Sequence, residues 1–416
     1  MTILRQTVQD QNMLTHVRCV LALIAFNAIA SLWSNSALAQ NSISEFHDAL
    51  RAKVAFNESD FATLAEGRAV VRLLPVTDKT EVAVFGLVGL EVPAQVFLES
   101  FRESIIRKSN PAILEIGKFG ATPTPSDLET LTFDDRDLDD LKDCIVGDCK
   151  VKLSAQMIER LRREVNWYAA DYRIQATQLL KQILLDYVRD YLERGDPALI
   201  EYNDKPKVVR LADELRALLA ESTYGDKFPE FGQQLNGSMK SEFSMVESAI
   251  VWSKIKFGLK PVIAINHIVI YKLAQNLGPQ VFVASKQIYA NHYFDSSLSL
   301  TAFVNIPGES ASYLFYENRS RADGLSGLFG KMKRGLVEDR ALNNLKNILE
   351  SSKTNLNAHA LSKTESAPPG DRASSWRGWR PRRVHLFLSL LLITALLAFF
   401  TVRTYHWKNS FSGAPH

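Results

Sequence analysis

Five apolar segments follow one another in the second half of the chain, and only short turns separate them. They are rich in Val, Ile, Phe and Tyr, a composition that predicts β-strands. Parallel strands need long crossover connections, so short turns such as Ile306-Pro307-Gly308 favour an antiparallel meander. The strands are predicted at Ser241–Phe257, Val262–Lys272, Gln280–Ala290, Ser296–Asn305 and Ser312–Arg319.

A long amphipathic pattern follows these strands. It runs from Leu325 to Ser351 and predicts a final helix whose apolar positions, Leu336 and Leu345 among them, pack on the sheet. Before the meander, the chain carries three further strand patterns and a helix that begins at Pro93. These earlier strands are predicted at Arg68–Val76, Glu81–Leu90 and Ala112–Phe119.

An insert at residues 120–238 separates the early strands from the meander. Its first part is rich in Asp and contains two Cys residues. Ser154 suits a helix N-cap, and a helical pattern continues from it to Glu193, before the breaker Gly195-Asp196-Pro197. A second amphipathic helix is predicted from Val208 to Ala220. The body is therefore expected to have an α+β fold: an antiparallel sheet with a long C-terminal helix, plus a helical insert.

The order of strand, helix, helical insert, antiparallel strands and long final helix resembles the helix-grip fold of START-like lipid-binding domains. The parts that carry the resemblance are Val82 to Leu90, Pro93 to Arg107, the strands between Ser241 and Arg319, and the helix from Leu325. They cover about half of the chain, and the insert is additional to the pattern. The resemblance implies a curved sheet that wraps the C-terminal helix around an apolar cavity.

An apolar segment lies near each end of the chain. The first, from Cys19 to Trp33, is about 15 residues long and is followed by Ala37-Leu38-Ala39. It is short for a membrane span and has the small residues that signal peptidase requires, so a cleaved signal is predicted, with an uncleaved anchor as the alternative. The second, from Val384 to Val402, has no formal charge and is long enough for a transmembrane helix.

The charges beside the second segment conflict with an exported body. Arg377, Arg380, Arg382 and Arg383 precede it, and the positive-inside rule favours a cytoplasmic position for such a cluster. Because the N-terminal signal acts first, the prediction is a single-pass inner-membrane protein whose body lies in the periplasm. The alternative is a tail-anchored protein with a cytoplasmic body.

The mature chain keeps one pair of cysteines, Cys144 and Cys149. In an oxidising compartment a disulfide is expected, since Gly147-Asp148 supplies a turn between them. Free thiols remain an alternative. A redox or metal role is a further one, although a redox pair usually has two intervening residues and no further metal ligands are close in the sequence.

Sequence motifs for catalysis are lacking. The acidic run Asp134–Asp140 fails the calcium-loop pattern, because Asp140 stands where Gly is required and Val146 where Glu is required, and a solvated acidic loop is expected instead. The segment Gly324–Lys331 fails the phosphate-loop pattern, because Leu325 stands where its first Gly is required and Met332 where Ser or Thr is required. Ser326 also fails the G-x-S-x-G pattern, so an enzyme is not favoured and no cofactor or metal is expected.

One group of polar residues is a candidate ligand site. The residues are on predicted adjacent strands, where they can converge to orient a headgroup or to transfer protons. The alternative is that they are strand-end and surface residues with satisfied hydrogen bonds. The group consists of His267, Tyr289, His292, Tyr293, Asp295 and Arg319, with Asn318 beside the last.

Two classes of function follow. The first is a membrane-tethered protein that binds a lipid or another apolar ligand; the second is a cell-envelope scaffold or assembly factor that contacts other envelope proteins. A net charge of +3 gives no reason to expect nucleic acid as a partner. The chain is divided into a signal peptide (1–39), the N-terminal part of the α+β domain (40–119), the Asp/Cys loop and helical insert (120–238), the sheet and final helix (239–352), a flexible linker (353–383), the transmembrane helix (384–402) and a short tail (403–416).

Overall fold

The protein has an α+β fold in which a large antiparallel sheet packs against a long C-terminal helix. A computed structural model describes residues 43–104, 112–223, 243–257, 260–273, 279–306, 311–325 and 330–365. The helix at residues 43–54, α1, belongs to a separate unit from the one that begins at Asn57 and contains the sheet.

The elements of the second unit follow the predicted order. The strands are β1 (Val70–Leu73), β2 (Glu81–Leu90), β3 (Ile113–Lys118), β4 (Glu201–Tyr202), β5 (Val209–Arg210), β6 (Phe243–Ile255), β7 (Val262–Leu273), β8 (Pro279–Ala290), β9 (Phe294–Asn305) and β10 (Ser312–Ala322). The α-helices are α2 (Glu58–Ala65), α3 (Ala94–Ser104), α4 (Asp135–Asp140), α5 (Ala155–Glu164), α6 (Tyr172–Arg194), α7 (Leu211–Glu221) and α8 (Gly330–Glu365).

The main sheet has eight strands in the order β1-β2-β10-β9-β8-β7-β6-β3. The meander β6 to β10 is confirmed as antiparallel hairpins between neighbours in sequence. The last and first strands of the meander pair with strands that precede the insert. Strand β10 runs antiparallel to β2, from Arg321 opposite Glu81 to Ser312 opposite Leu90, and β6 pairs with β3. The two small strands β4 and β5 form a separate ribbon in the insert.

The face of the sheet that carries α8 is called the inner face. Gly86 of β2 lies directly under the helix, because a Cβ there would be 2.5 Å from Cδ1 of Leu349 and 3.1 Å from Cδ2 of Leu345. Helix α3 covers another part of the same face, where Phe97 stacks on Phe303 with ring centroids 5.2 Å apart. The α8 residues in this core recur at helical spacing: Val337, Ala341, Leu345, Ile348, Leu349 and Leu356.

The opposite face, called the outer face, is covered by the insert. The indole N–H of Trp252 on β6 donates to the carbonyl of Asp127 (2.7 Å), and His267 on β7 is bonded to Tyr191 of α6. Because both faces are covered, the strands are buried almost continuously instead of on alternate residues, and nine of the ten residues of β2 are buried.

The helices differ from the prediction in two places. The pattern from Ser154 to Glu193 forms two helices, because the chain leaves helical geometry at Val165 and α6 begins at Tyr172. The final helix continues past Ser351 to Glu365, so the first part of the predicted linker is helical. Ser154 does cap α5, accepting a hydrogen bond from the Met157 amide (3.2 Å), and Gly195 ends α6 with φ of 67°.

Burial of the final helix confirms one of its two predicted contact residues. Leu345 is 1% exposed and belongs to the inner core, whereas Leu336 is 46% exposed and the prediction for it is wrong. The neighbouring Val337 takes the buried position instead, since it is spaced in helical register with Ala341 and Leu345.

The predicted signal peptide and transmembrane segment lie outside the described residues. Within the described part of the chain, no helix combines the length and the apolar character that crossing a bilayer requires. Cys144 and Cys149 form a disulfide with Cα atoms 4.5 Å apart. The acidic run differs from the expected solvated loop: it forms α4, and Asp137 within it is 3% exposed.

Candidate functional site

Four of the six predicted site residues lie around the turn that joins β8 to β9. Tyr289 is the penultimate residue of β8, His292 and Tyr293 lie in the turn, and Asp295 is the second residue of β9. Tyr293 has φ of 60°, the left-handed conformation in which non-Gly residues are uncommon, and its carbonyl accepts from the amide of Asp323 (3.0 Å). The structure therefore brings these four residues together. Residues of the insert contact Tyr289, His292 and Asp295, whereas Tyr293 packs against the inner core.

On one side of this turn, His292 meets a buried carboxylate. Its Nε2 lies 2.9 Å from Oδ2 of Asp137, while Nζ of Lys260 donates to Oδ1 of Asp137 (2.7 Å) and to Oδ2 of Asp140 (2.6 Å). Burial raises the pKa of Asp137, but the bonds and charges of His292 and Lys260 outweigh burial, and the net pKa is lowered. This group ties α4 to the β8–β9 turn.

On the other side, one buried lysine is shared by three aspartates. Nζ of Lys152 donates to Oδ1 of Asp295 (2.7 Å) and lies 3.4 Å from Asp323 and 3.8 Å from Asp204. The ammonium also lies 4.8 Å from the ring centroid of Tyr202. We call Lys152, Asp204, Asp295 and Asp323 the lysine cluster. Lys205 adds a second cation at Asp323.

The lysine cluster perturbs the titration of its carboxyl groups. Burial raises the pKa of Asp295 to about 6, and the neighbouring charge of Asp323 adds to this, although Lys152 opposes it. Burial likewise raises the pKa of Asp204. The pKa of Lys152 itself is raised, because the three carboxylates outweigh its desolvation. The ammonium stays charged at neutral pH.

We expect Asp295→Asn to change how stability depends on pH. Between about pH 4 and pH 6 the folded protein keeps a proton on Asp295 that the unfolded chain has released, so this group's contribution to stability is present at low pH and falls as pH rises through that window. The free energy of unfolding of wild type relative to the variant should therefore fall by about 2 kcal/mol from pH 4.5 to pH 7. Urea denaturation at both pH values measures this difference.

The control for this pH effect is Asp190→Asn. The hydrogen bond from Arg194 lowers the pKa of Asp190, so its contribution has the opposite sign, and the exposed pair makes it small. If the free energies of unfolding of wild type and Asp295→Asn differed by the same amount at pH 4.5 and pH 7, the raised pKa of Asp295 would be contradicted.

His267 belongs to a different network on the outer face. Its Nδ1 lies 2.7 Å from the hydroxyl of Tyr191 and its Nε2 lies 2.8 Å from Oγ of Ser248. Burial lowers the pKa of His267 to about 4, with a smaller contribution from the charge of Lys286. A neutral imidazole oriented by a tyrosine, with no carboxylate behind it, is a weak base for activating Ser248. The network is suited to holding α6 on the sheet.

Arg319 lies in a third network, also on the outer face. Its Nη1 donates to Glu81 (2.7 Å) and its Nε to Glu317 (2.9 Å), while Arg321 donates to Glu81 and to Glu214 of α7. Glu317 in turn accepts from the amide of Thr223. The group joins the paired strands β2 and β10 to α7, and it does not meet the residues of the β8–β9 turn in these bonds.

A row of polar side chains on the inner face was not singled out from the sequence. Ser285 of β8 is opposite Ser299 of β9, and Oγ of Ser299 lies 3.2 Å from the hydroxyl of Tyr316 on β10. The Asn318 amide donates to Ser299 (2.8 Å) and to Ser297 (3.2 Å). We call Ser285, Gln287, Ser297, Ser299, Tyr316, Asn318 and Ser320 the inner polar row.

The sequence signal for the inner polar row is its period of two. Ser297 and Ser299 alternate with apolar residues, as do Tyr316, Asn318 and Ser320 with charged ones, which is the mark of side chains that share one face of a strand. Taken alone, alternate polar residues on a strand predict a solvent-exposed face of the sheet. Here they are buried, and the charged residues between them face the insert.

No cluster of His, Cys, Asp and Glu side chains that fits a metal ion occurs in the described ranges. Comparison with protein-family models, with curated protein sequences and with solved structures finds no match to this chain. Function therefore has to be argued from the arrangement of its own residues.

Proposed function

We propose that the protein binds a lipid or another apolar ligand between the inner face of its sheet and helix α8. The observation that carries this proposal is the arrangement of the inner face, where β2, the meander and α3 surround the long final helix with apolar side chains. The strand order, in which β2 pairs with β10 and β3 pairs with β6, supports the resemblance to the helix-grip fold of START-like lipid-binding domains.

We further propose that the body is exported and tethered at the bilayer by the segment 384–402. The disulfide between Cys144 and Cys149 supports export, since such bonds persist in oxidising compartments. A binding protein held next to the bilayer has its apolar ligands within reach. The candidate ligand residues at the β8–β9 turn remain proposed contacts for a headgroup, although insert residues occupy many of their hydrogen bonds.

Native mass spectrometry of the full chain, purified in a mild detergent, tests the binding proposal. We expect the protein to retain a lipid-sized adduct that collisional activation releases and that lipidomics identifies. A spectrum of unliganded protein only, obtained under conditions that keep lipid on a known lipid-binding protein, would contradict the proposal.

A second candidate function, an envelope scaffold, is favoured by a different observation. The insert exposes large apolar side chains: Tyr168 is 96% exposed, Ile174 60% and Leu192 44%. Each of these side chains is a candidate contact for a protein partner. If in-cell crosslinking of the full chain captures one envelope protein, and Ile174→Asp abolishes the capture while the lipid adduct is absent, the scaffold function replaces the binding function.

A further inference from the structure

We propose that the inner polar row is a recognition site for an uncharged hydrogen-bonding group of the ligand, such as the ester or hydroxyl group of an acylglycerol. This inference rests on the proposed function and names the chemical class of the ligand. It starts from the position of one side chain, Gln287 of β8.

Gln287 is buried on the inner face beside the other members of the row. It is opposite Asn266 of β7, and the register of β8 with β9, in which Lys286 is opposite Leu298, places Gln287 at the level of Ser297. Ser285 precedes it by two residues and shares its face. Only 3% of Gln287 is exposed.

The Nε2 group of Gln287 has no hydrogen-bond partner among the described residues. A buried amide donor without a partner destabilises the folded protein, and most buried polar groups do have partners. The same holds for Oγ of Ser352, which is 1% exposed on the buried side of α8. The neighbouring Asn318, in contrast, is satisfied by Ser297, Ser299 and Ser320. The row therefore includes side chains held by hydrogen bonds to each other, around Asn318, and one donor, Nε2 of Gln287, that is available to a ligand.

The size of the side chains favours the same location. Most members of the row are serines, which extend less far from the sheet than Phe303, Leu314 or the other large residues of the inner core. Short side chains leave more room for a bound group between the sheet and the element that covers it than Phe or Leu side chains do. Apolar walls with a few convergent polar groups are the usual composition of small-molecule sites.

The charges of the strands indicate that the recognised group is uncharged. All seven members of the inner polar row are uncharged. The charged residues of these strands, such as Lys286 and Arg319, lie on the outer face, where they pair with Asp196 and Glu81. A carboxylate or phosphate buried at the row would have no cation beside it among the described residues of the inner core, and burying an unpaired charge is unfavourable. An ester carbonyl or a hydroxyl needs only donors such as Gln287 Nε2.

The test compares photo-crosslinkable lipids of one acyl-chain length on the purified full chain: a diacylglycerol, the free fatty acid and a phosphatidylglycerol. We expect the diacylglycerol to crosslink at β8 to β10 at the lowest concentration. Gln287→Met keeps the volume and removes the donor, and it should raise the half-saturating concentration of diacylglycerol about tenfold. The exposed Gln182 of α6 provides the control, Gln182→Met, which should bind like the parent.

Thermal melting without lipid separates recognition from folding. Because Gln287→Met removes a donor without a partner, the variant should melt at or above the parent's temperature, as expected for a residue retained for binding. If it melts lower, Gln287→Leu is compared in the same way. Equal diacylglycerol binding by a folded Gln287 variant, or preference for the fatty acid or the phosphatidylglycerol, overturns this inference and leaves the proposed function standing. Absence of crosslinking with all three lipids overturns both.

Discussion

Leu345→Asp is expected to lower the free energy of unfolding by about 4 kcal/mol or more, enough to unfold a protein of ordinary stability. Leu345 is 1% exposed, and its side chain packs on Gly86 at the point where α8 crosses β2. A carboxylate at this site has no cation close by among the residues of the inner core, so it is either buried unpaired or excluded by moving the helix away from the sheet. Circular dichroism melting and urea denaturation measure the loss.

Leu336→Asp is the matched control for that variant. It makes the same chemical change on the same helix, but Leu336 is 46% exposed, and its free energy of unfolding should stay within about 0.5 kcal/mol of the parent. If the two variants melted at the same temperature, α8 would not pack on the sheet through the face that contains Leu345. The proposed ligand site would then lose one of its walls.

Lys152→Met is expected to destabilise the protein by about 3–5 kcal/mol at neutral pH. The substitution leaves Asp204, Asp295 and Asp323 close together with the cation at their centre removed. Protonation of these carboxyl groups relieves their repulsion, so the deficit relative to wild type should shrink as pH falls from 7 to 4.5. Urea denaturation at the two pH values checks both the size and the sign.

Lys150→Met, two residues earlier, is the control for this change. Lys150 pairs with Asp140 at the surface and its side chain is 74% exposed, so the variant should lose at most about 0.5 kcal/mol at either pH. A Lys152→Met protein as stable as Lys150→Met would show that the lysine cluster does not hold the insert to the β8–β9 turn.

The strands were predictable from the sequence because their signal is local. The meander from Phe243 to Ala322 is rich in Val, Ile, Phe and Tyr between turns, and its predicted bounds agree closely with β6 to β10. The helices were less accurate at their boundaries. The break between α5 and α6 has no Gly or Pro within Val165–Asp171, and its signals are the weaker ones of Asn166 and Asp171, the N-cap residue of α6.

The site was predictable only where its residues are close in sequence. His292, Tyr293 and Asp295 meet because one turn contains them, whereas their partners Asp137 and Lys152 come from the insert, far along the chain. The sequence could not show that the insert covers the outer face. For that reason the sequence predicts a ligand contact for Arg319, which the structure instead pairs with Glu81, and it does not predict the inner polar row as a group.

The pairing of β2 with β10 has a consequence for folding kinetics. These strands lie at opposite ends of the body, with the insert and the rest of the meander between them, yet they are hydrogen-bonded neighbours from Glu81 to Leu90. Contacts of such high sequence separation form slowly, because a long loop must close before they contribute any stability. A nascent chain has no partner for this edge of β2 until residues 312–322 have been synthesised. An unpaired strand edge promotes aggregation, so this edge of β2 is a site of aggregation risk during that interval.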